Sequence, residues 1–140
     1  MAESPLKKQK KKTWKEFSIY IRTRDCMAYM KNHKELNELQ CECITCKRVY
    51  GFKKLQAGHF VPGRTNSILF DERGVHAQCY GCNVGRSGDA ITYYPVMVER
   101  YGQEIVDELI QKKNQTVKFT IDELKDLELR YIQMTKKLLT

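Results

Sequence analysis

The sequence has no apolar run near the roughly 20 residues needed to span a bilayer. Its N-terminal segment, MAESPLKKQKKK, is charged and lacks the apolar stretch of a secretory signal. We therefore expect a cytoplasmic protein without a membrane partner, in a reducing compartment that disfavours disulfides. The six cysteines then need another explanation, and metal binding is the leading one.

Acidic residues are the scarcer charged class. Lys and Arg number 25 against 17 Asp and Glu, which gives a net charge of +8. Such a surplus favours a polyanion such as nucleic acid, because each cation that neutralises a phosphate releases counterions. Ordinary solubility charge is the alternative. The 140 residues, 41% of them apolar, suit one modest domain with an added helical region.

The N-terminal part of the chain divides into two segments. Residues 1–12 are predicted to form a disordered basic arm, because their lysines repel one another. Phosphate contact is the favoured role of these lysines, and localisation or solubility are the alternatives. Thr13 and Glu16 then have the spacing of a capping box, which predicts a helix to about Leu39. Phe17 and Ile21 are expected on its inner face.

Two CxxC pairs are the strongest chemical signal. A two-residue spacer lets one tight turn present both sulfurs to the same ion, and four thiolates complete the tetrahedron that Zn²⁺ prefers. We expect a closed structural zinc site that does no chemistry itself, with Cys26 and Cys41 as spare cysteines. The four predicted ligands are Cys43, Cys46, Cys79 and Cys82.

The segment between these pairs predicts a ββα unit. Residues 54–60 and 67–70 are expected to form a hairpin, because turn-forming residues lie between them, and a short helix should begin near Cys79. His59 on the first strand and Asn83 on the helix could then face each other. That geometry suits a divalent cation held by Asn83 against a phosphodiester, with His59 as the general base.

Other residues near this unit have less specific roles. His76 could coordinate a metal, contact a phosphate or pack in the core, and Asn83 could instead cap the helix. The phosphate-binding candidates on the hairpin and in the arm are Arg64, Arg73, Arg86, Lys10, Lys11 and Lys12.

The C-terminal part, residues 95–140, is predicted to be helical, after a core of residues 13–94. Apolar spacing predicts one helix from Pro95 to about Lys113. Thr120 and Glu123 form a second capping box, and the helix that follows carries one apolar stripe. Packing against the core is the usual role of such a stripe, and a coiled-coil homodimer is the alternative. The stripe comprises Leu124, Leu127, Tyr131, Met134 and Leu138.

The combined motifs resemble a known family. CxxC, AGHF and VHAQCYGCN, followed by Ser87-Gly88, resemble HNH (ββα-metal) nucleases, and they are most similar to the NinG, or Rap, recombination proteins of lambda-like phages. The segments FSIYIRTRD at 17–25 and YGQE at 101–104 are also similar, so the resemblance covers about residues 14–112. It implies an α+β fold with a zinc-stapled, HNH-like (treble-clef) ββα core between a long N-terminal helix and C-terminal helices.

The resemblance also implies an activity. Family members would be structure-specific endonucleases that cut Holliday junctions and D-loops, with Mg²⁺ or Mn²⁺ as catalytic cation beside the structural Zn²⁺. It implies that His59 is the general base and Asn83 a metal ligand, in a CxxC-Asn order similar to the endonuclease VII type of resolvase. Two symmetric cuts favour a homodimer, and phage or host recombination proteins are further expected partners in the bacterial cytoplasm.

Two positions depart from the family pattern. Gly58 stands where many HNH enzymes carry an acidic or His metal ligand, and Gly74 stands where a central Asn usually orients the base. A cation would therefore need a ligand from elsewhere, for which Asp71, His76 and Asp89 are the candidates. The same departures support the alternative function, a non-catalytic zinc-containing DNA-binding accessory protein.

Overall fold

Helices and two small antiparallel sheets make up the computed structural model, which describes residues 2–140. The α+β class is thereby confirmed. The helices are α1 (Pro5–Met30), α2 (Asn66–Leu69), α3 (Ala90–Tyr101), α4 (Gln103–Lys112) and α5 (Ile121–Leu139). The strands are β1 (Gln40–Glu42), β2 (Val49–Gly51), β3 (Leu55–His59) and β4 (Val75–Cys79). A π-helical turn, Gly81–Gly85, follows β4.

Helix α1 begins earlier than the sequence predicts. Ser4 is its N-cap, with a hydroxyl that accepts from the Lys7 amide at 3.2 Å. The prediction of a disordered arm over residues 1–12 is therefore wrong for 5–12, because Gln9 donates to Glu128 of α5 at 3.0 Å and ties this segment to the core. The helix ends at Met30 rather than near Leu39, and His33 donates to the Tyr29 carbonyl at 2.9 Å.

Helix α5 packs along α1. Its predicted capping box is confirmed, since Thr120 and Glu123 each bond to the other's backbone amide, at 3.0 and 3.1 Å. The apolar stripe of α5 faces inward, and Tyr131 meets Phe17 of α1 edge-on with ring centroids 4.9 Å apart. Packing against the core is therefore the role of the stripe, and the coiled-coil alternative lacks the free apolar face that it needs.

The central hairpin pairs β3 with β4, in a register that places Gln56 opposite Gln78 and His59 opposite Val75. The prediction of a strand at 67–70 is wrong, because that segment is the short helix α2. The sequence pattern does not reveal strand β4, because all five of its residues are buried. A strand covered on both faces shows no polar–apolar alternation.

The predicted helix from Pro95 to Lys113 is two helices. It begins already at Ala90 and breaks at Gly102, where φ is +90°, a conformation that L side chains rarely adopt. Met97 of α3 and Leu109 of α4 close the core on this side. None of the helices within residues 2–140 combines the length and apolar character that crossing a bilayer requires.

Replacing the buried Thr13 tests the packing of α1 on α5. This residue is predicted as a helix cap, but it lies inside α1 with no exposed surface, and its hydroxyl donates to the carbonyls of Gln9 (3.0 Å) and Leu124 (2.8 Å). Thr13→Val keeps the shape and removes these bonds, so we expect it to lower the unfolding free energy by about 1–2 kcal/mol in urea denaturation. Exposed Thr116→Val is the control. Equal stability of both variants would contradict this role.

Candidate functional site

Four cysteines from two hairpins converge on one point. The turn between β1 and β2 supplies Cys43 and Cys46, the end of β4 supplies Cys79, and the π-helical turn supplies Cys82. Their sulfurs all lie within 4.8 Å of one another, and those of Cys46 and Cys79 are 3.9 Å apart. Zinc–sulfur bonds of about 2.3 Å in a tetrahedron separate the sulfurs by about 3.8 Å. The donor set and its spacing therefore fit Zn²⁺.

Hydrogen bonds prepare these sulfurs for a cation. The amides of Cys79 and Cys82 donate to the sulfurs of Cys43 (3.3 Å) and Cys79 (3.4 Å). Burial alone would raise the pKa of the Cys43 thiol, but bonds from the Thr45 hydroxyl and from backbone amides lower it to about 6. Cys43 is therefore the sulfur that these bonds favour as a thiolate, the form that binds metal, whereas burial raises the pKa of Cys46 and Cys82.

The other two cysteines lie apart from this cluster. Cys26 of α1 and Cys41 of β1 are free, buried cysteines that pack together with Leu55 and Ala77. They are spare, as the sequence predicts.

His59, the candidate base, lies at the end of β3 and is half-buried. Its Nε2 is 3.1 Å from the Leu69 carbonyl oxygen, which can only accept. Nε2 therefore carries the proton, and Nδ1 carries the lone pair that a general base needs. The Leu69 carbonyl thus orients the ring, the role that a central Asn would have at Gly74.

Trp14 and Arg64 complete the surroundings of His59. The imidazole stacks on the Trp14 indole, with centroids 5.1 Å apart and an interplanar angle of 17°. The Arg64 guanidinium lies over the same indole, 4.4 Å from the ring centroid. Burial, reinforced by the Arg64 charge and opposed by the bond to Leu69, lowers the pKa of His59 to about 4. The ring is therefore neutral at pH 7.

Asn83 does not face His59 across the hairpin, as the sequence predicts it to do. Its amide donates to the Gln56 side-chain oxygen at 2.7 Å. Successive side chains of a strand point to opposite faces, so Gln56 and His59 lie on opposite sides of β3. The structure thus places His59 on the α1 side of the hairpin and Asn83 on the other.

Asp71 is saturated by cations. Its oxygens accept four hydrogen bonds: two from the Arg73 side chain (3.0 and 2.8 Å), one from the Arg73 amide (3.2 Å) and one from Lys112 (2.7 Å). Burial would raise its pKa, but these partners lower it to about 2. A carboxylate has about four lone-pair sites, so a catalytic cation would have to displace one of these donors. Arg73 is likewise occupied, since it also pairs with Glu108 at 2.6 Å.

His76 belongs to a buried network that sequence reasoning missed. Only 1% of it is exposed, and its Nδ1 and Nε2 lie 3.1 and 2.7 Å from the hydroxyls of Tyr93 and Tyr101. Tyr93 donates its own proton to the Gly58 carbonyl at 2.8 Å, so Nδ1–H donates to Tyr93 and Nε2 accepts from Tyr101. Because both ring nitrogens are hydrogen-bonded, His76 packs in the core, which is one of the three roles considered for it. The two tyrosines have helical apolar spacing, which gives no hint of this bonding.

Gly58 explains one departure from the family pattern. A Cβ atom at this position would lie 2.0 Å from the Gln78 side-chain oxygen. The buried Gln78 amide is held by the Thr45 hydroxyl (3.2 Å) and the Gly88 carbonyl (2.9 Å). The position where the family often carries a metal ligand therefore has no room for a side chain while Gln78 keeps this conformation.

The predicted phosphate contacts fall on three surfaces. Lys10, Lys11 and Arg64 line one cleft, whereas Lys12 lies on another face of α1. Arg86 lies beside the cysteine cluster, together with Arg48. Asp89, a candidate ligand, precedes α3 and has a carboxylate oxygen 3.8 Å from the Arg86 guanidinium.

Comparisons with known proteins give a family. The family model described as "NinG: Bacteriophage Lambda NinG protein" matches residues 2–140. Protein ninG of Escherichia phage lambda is 34% identical over 97 residues, which are 69% of this chain and 47% of that protein. The ninG proteins of Escherichia phage 933W and Salmonella phage P22 are each 33% identical with the same coverage. The chain thus spans about half the length of the curated relatives it matches. No solved structure matches it significantly.

The metal assignment predicts about one zinc ion per chain in elemental analysis of protein purified without chelators. Cys43→Ser removes one ligand and should leave little zinc bound. Cys41→Ser is the matched control, since it changes a buried cysteine two positions away that lies outside the cluster, and it should keep its zinc. Zinc retained by Cys43→Ser but lost from Cys41→Ser would refute the assignment.

The low pKa of His59 predicts a pH dependence of stability. Its folded pKa of about 4 lies below the ordinary 6.5, so the unfolded chain binds more protons between these values. The contribution of the neutral ring is complete above pH 6.5 and is lost as the pH falls towards 4, by about 3 kcal/mol in total.

This dependence can be measured against His59→Gln, which does not titrate in this range. Between pH 7 and about 4.5, the unfolding free energy of the wild type should fall more steeply than that of the variant, in urea denaturation followed by circular dichroism. The zinc site is common to both proteins, so the difference isolates His59. Parallel curves would show that the ring is solvated.

Proposed function

This chain belongs to the NinG family of phage recombination proteins, and we propose that it is an endonuclease that hydrolyses phosphodiesters in branched DNA, such as Holliday junctions and D-loops. The single observation that supports this proposal best is the bond between His59 Nε2 and the Leu69 carbonyl. It fixes the tautomer in which Nδ1 can accept a proton from an attacking water.

The proposed reaction uses His59 as general base. The ring is neutral before reaction, and it becomes an imidazolium whose Nε2–H remains bonded to the Leu69 carbonyl. A bound phosphate would offset the charge of Arg64, one of the causes that lower the pKa of His59. Substrate binding would therefore bring that pKa closer to neutrality, where a general base is most effective.

Zinc has a structural role in this proposal. Four cysteine ligands fill the tetrahedron and leave no position for a reactive water. The ion would join the β1–β2 hairpin to β4 and to the turn that carries Cys82. It thereby supports the hairpin from which His59 projects, without contact with substrate.

The catalytic Mg²⁺ or Mn²⁺ implied by the resemblance lacks a complete donor set here. Asp71 is saturated by Arg73 and Lys112, Gly58 offers no side chain, and Asn83 lies on the other face of β3. Mg²⁺ usually binds through one or two carboxylates. The residues around His59 thus do not fit this cation as they stand, and no step is assigned to it.

The incomplete donor set for Mg²⁺ or Mn²⁺ favours a second candidate, a non-catalytic zinc protein that binds branched DNA or recombination partners. A homodimer stays part of the first proposal because a junction needs two cuts. The α5 stripe cannot supply its interface, since α1 already covers it.

Cleavage of a synthetic four-way junction, with Mg²⁺ or Mn²⁺ added, tests the proposed base. His59→Gln is the informative variant, because a Gln amide can still donate to the Leu69 carbonyl but cannot accept a proton from water. We expect its initial cleavage rate to fall about 10²- to 10⁴-fold while its fold and zinc content stay unchanged.

His33→Gln is the matched control, since it changes a histidine outside the site that also bonds to a carbonyl, and its rate should equal that of the wild type. Cleavage by His59→Gln at the wild-type rate would refute the role of His59. Junction binding by the wild type without cleavage under either cation would favour the non-catalytic candidate.

A further inference from the structure

A basic cleft lies between α1 and the loop that carries Arg64. It is lined by Lys7, Lys10, Lys11, Trp14, Arg64 and Leu69 and has a volume of about 370 Å³. We infer that this cleft binds one unpaired strand of DNA and leads it to His59. The inference rests on the proposed function only in taking branched DNA as the substrate, and it names the part of that substrate which is recognised.

The lysines form a single stripe along the helix. Lys7, Lys10, Lys11 and Trp14 have the spacing i, i+3, i+4 and i+7, which places them on one face of α1. The three lysines span about 6 Å of the helix axis at 1.5 Å per residue. Their ammonium groups can therefore contact neighbouring phosphates of one DNA backbone.

Arg64 brings an uncompensated charge to the same cleft. Its backbone is in the left-handed region, with φ at 51°, and its guanidinium lies over the Trp14 ring. Among residues 2–140 no carboxylate forms an ion pair with Arg64, and of the three lysines only exposed Lys11 pairs with an acid, Glu3. A cation without an acidic partner favours an anionic ligand.

The shape of the cleft favours a single strand over a duplex. Its volume is near the lower end of small-molecule pockets, about 300–1,000 Å³, which suits one nucleotide. Part of its wall is apolar, from Trp14 and Leu69. Proteins that bind single strands combine a basic groove with planar groups for base stacking. The Arg64 guanidinium, which lies over the Trp14 indole, supplies such a plane.

The position of the cleft connects it to the candidate base. Trp14 belongs to the cleft and also stacks on His59. A strand whose phosphates lie along the lysines would therefore pass next to the imidazole. The unpaired strand at a branch point is the part of the substrate that can reach this place.

Fluorescence provides a direct readout, because Trp14 is the single tryptophan of the chain. An oligothymidylate of about ten nucleotides, added to the zinc-containing protein without divalent cation, should quench this fluorescence to saturation. A blunt duplex of the same length should quench much less. Equal quenching by strand and duplex at equal affinity would overturn the inference.

Two triple variants give a matched comparison. Lys7→Gln, Lys10→Gln and Lys11→Gln together remove the stripe, whereas Lys8→Gln, Lys12→Gln and Lys15→Gln remove the same charge from another face of α1. The first should weaken strand binding about tenfold or more and reduce the slope of log K against log salt by about 2. The second should change affinity about threefold at most. Equal losses in both would overturn the inference, provided that both remain as helical as the wild type.

Two further variants separate this inference from the proposed endonuclease. Arg64→Lys keeps the charge but loses the planar group, so it should bind the strand more weakly and quench less. His33→Gln is the control and should bind like the wild type, because His33 lies outside the cleft and stacks on Tyr29 rather than on Trp14. Quenching without junction cleavage by the wild type would refute only the endonuclease, and cleavage without strand-dependent quenching would refute only the strand-binding cleft.

Discussion

The convergence of four cysteine sulfurs is the constraint on which the rest of the structure depends. Strands β1 and β2 have three residues each, too few to hold a sheet by themselves. Through Cys43, Cys46, Cys79 and Cys82 they are joined to the end of β4 and to the turn after it. This junction holds the end of the β3–β4 hairpin at which Leu55 pairs with Cys79, and His59 lies at the other end of the same hairpin. The candidate chemistry therefore depends on a cluster that takes no part in it.

The hairpin separates two environments. On one face α1 covers it, and there His59 is neutral, oriented by the Leu69 carbonyl and stacked on Trp14. On the other face α3 covers it, and there His76 joins two tyrosine hydroxyls in a saturated network. Two histidines of the same hairpin therefore have different chemistry. One retains a nitrogen for proton transfer, and the other uses both nitrogens to fasten a helix.

Sequence reasoning succeeded where the signal is local. The zinc cysteines and the capping box at Thr120 depend on spacings of two or three residues, and the structure contains both arrangements. Sequence reasoning failed where contacts between residues far apart in the chain determine the local structure. Residues 5–12 are helical partly because Gln9 bonds to Glu128 of α5, and β4 shows no alternation because helices cover both its faces. The saturation of Asp71 depends on Lys112, forty-one positions along the chain.

The charged side chains near His59 differ in whether they are paired. Asp71, a candidate cation ligand in place of the side chain that Gly58 lacks, is already neutralised by Arg73 and Lys112. Arg64, close to His59, has no acidic partner among residues 2–140. The side chains near the candidate base thus present uncompensated positive charge rather than a carboxylate set for a cation. Such a surface is suited first to holding phosphate, and any chemistry at His59 begins from a strand that these cations have positioned.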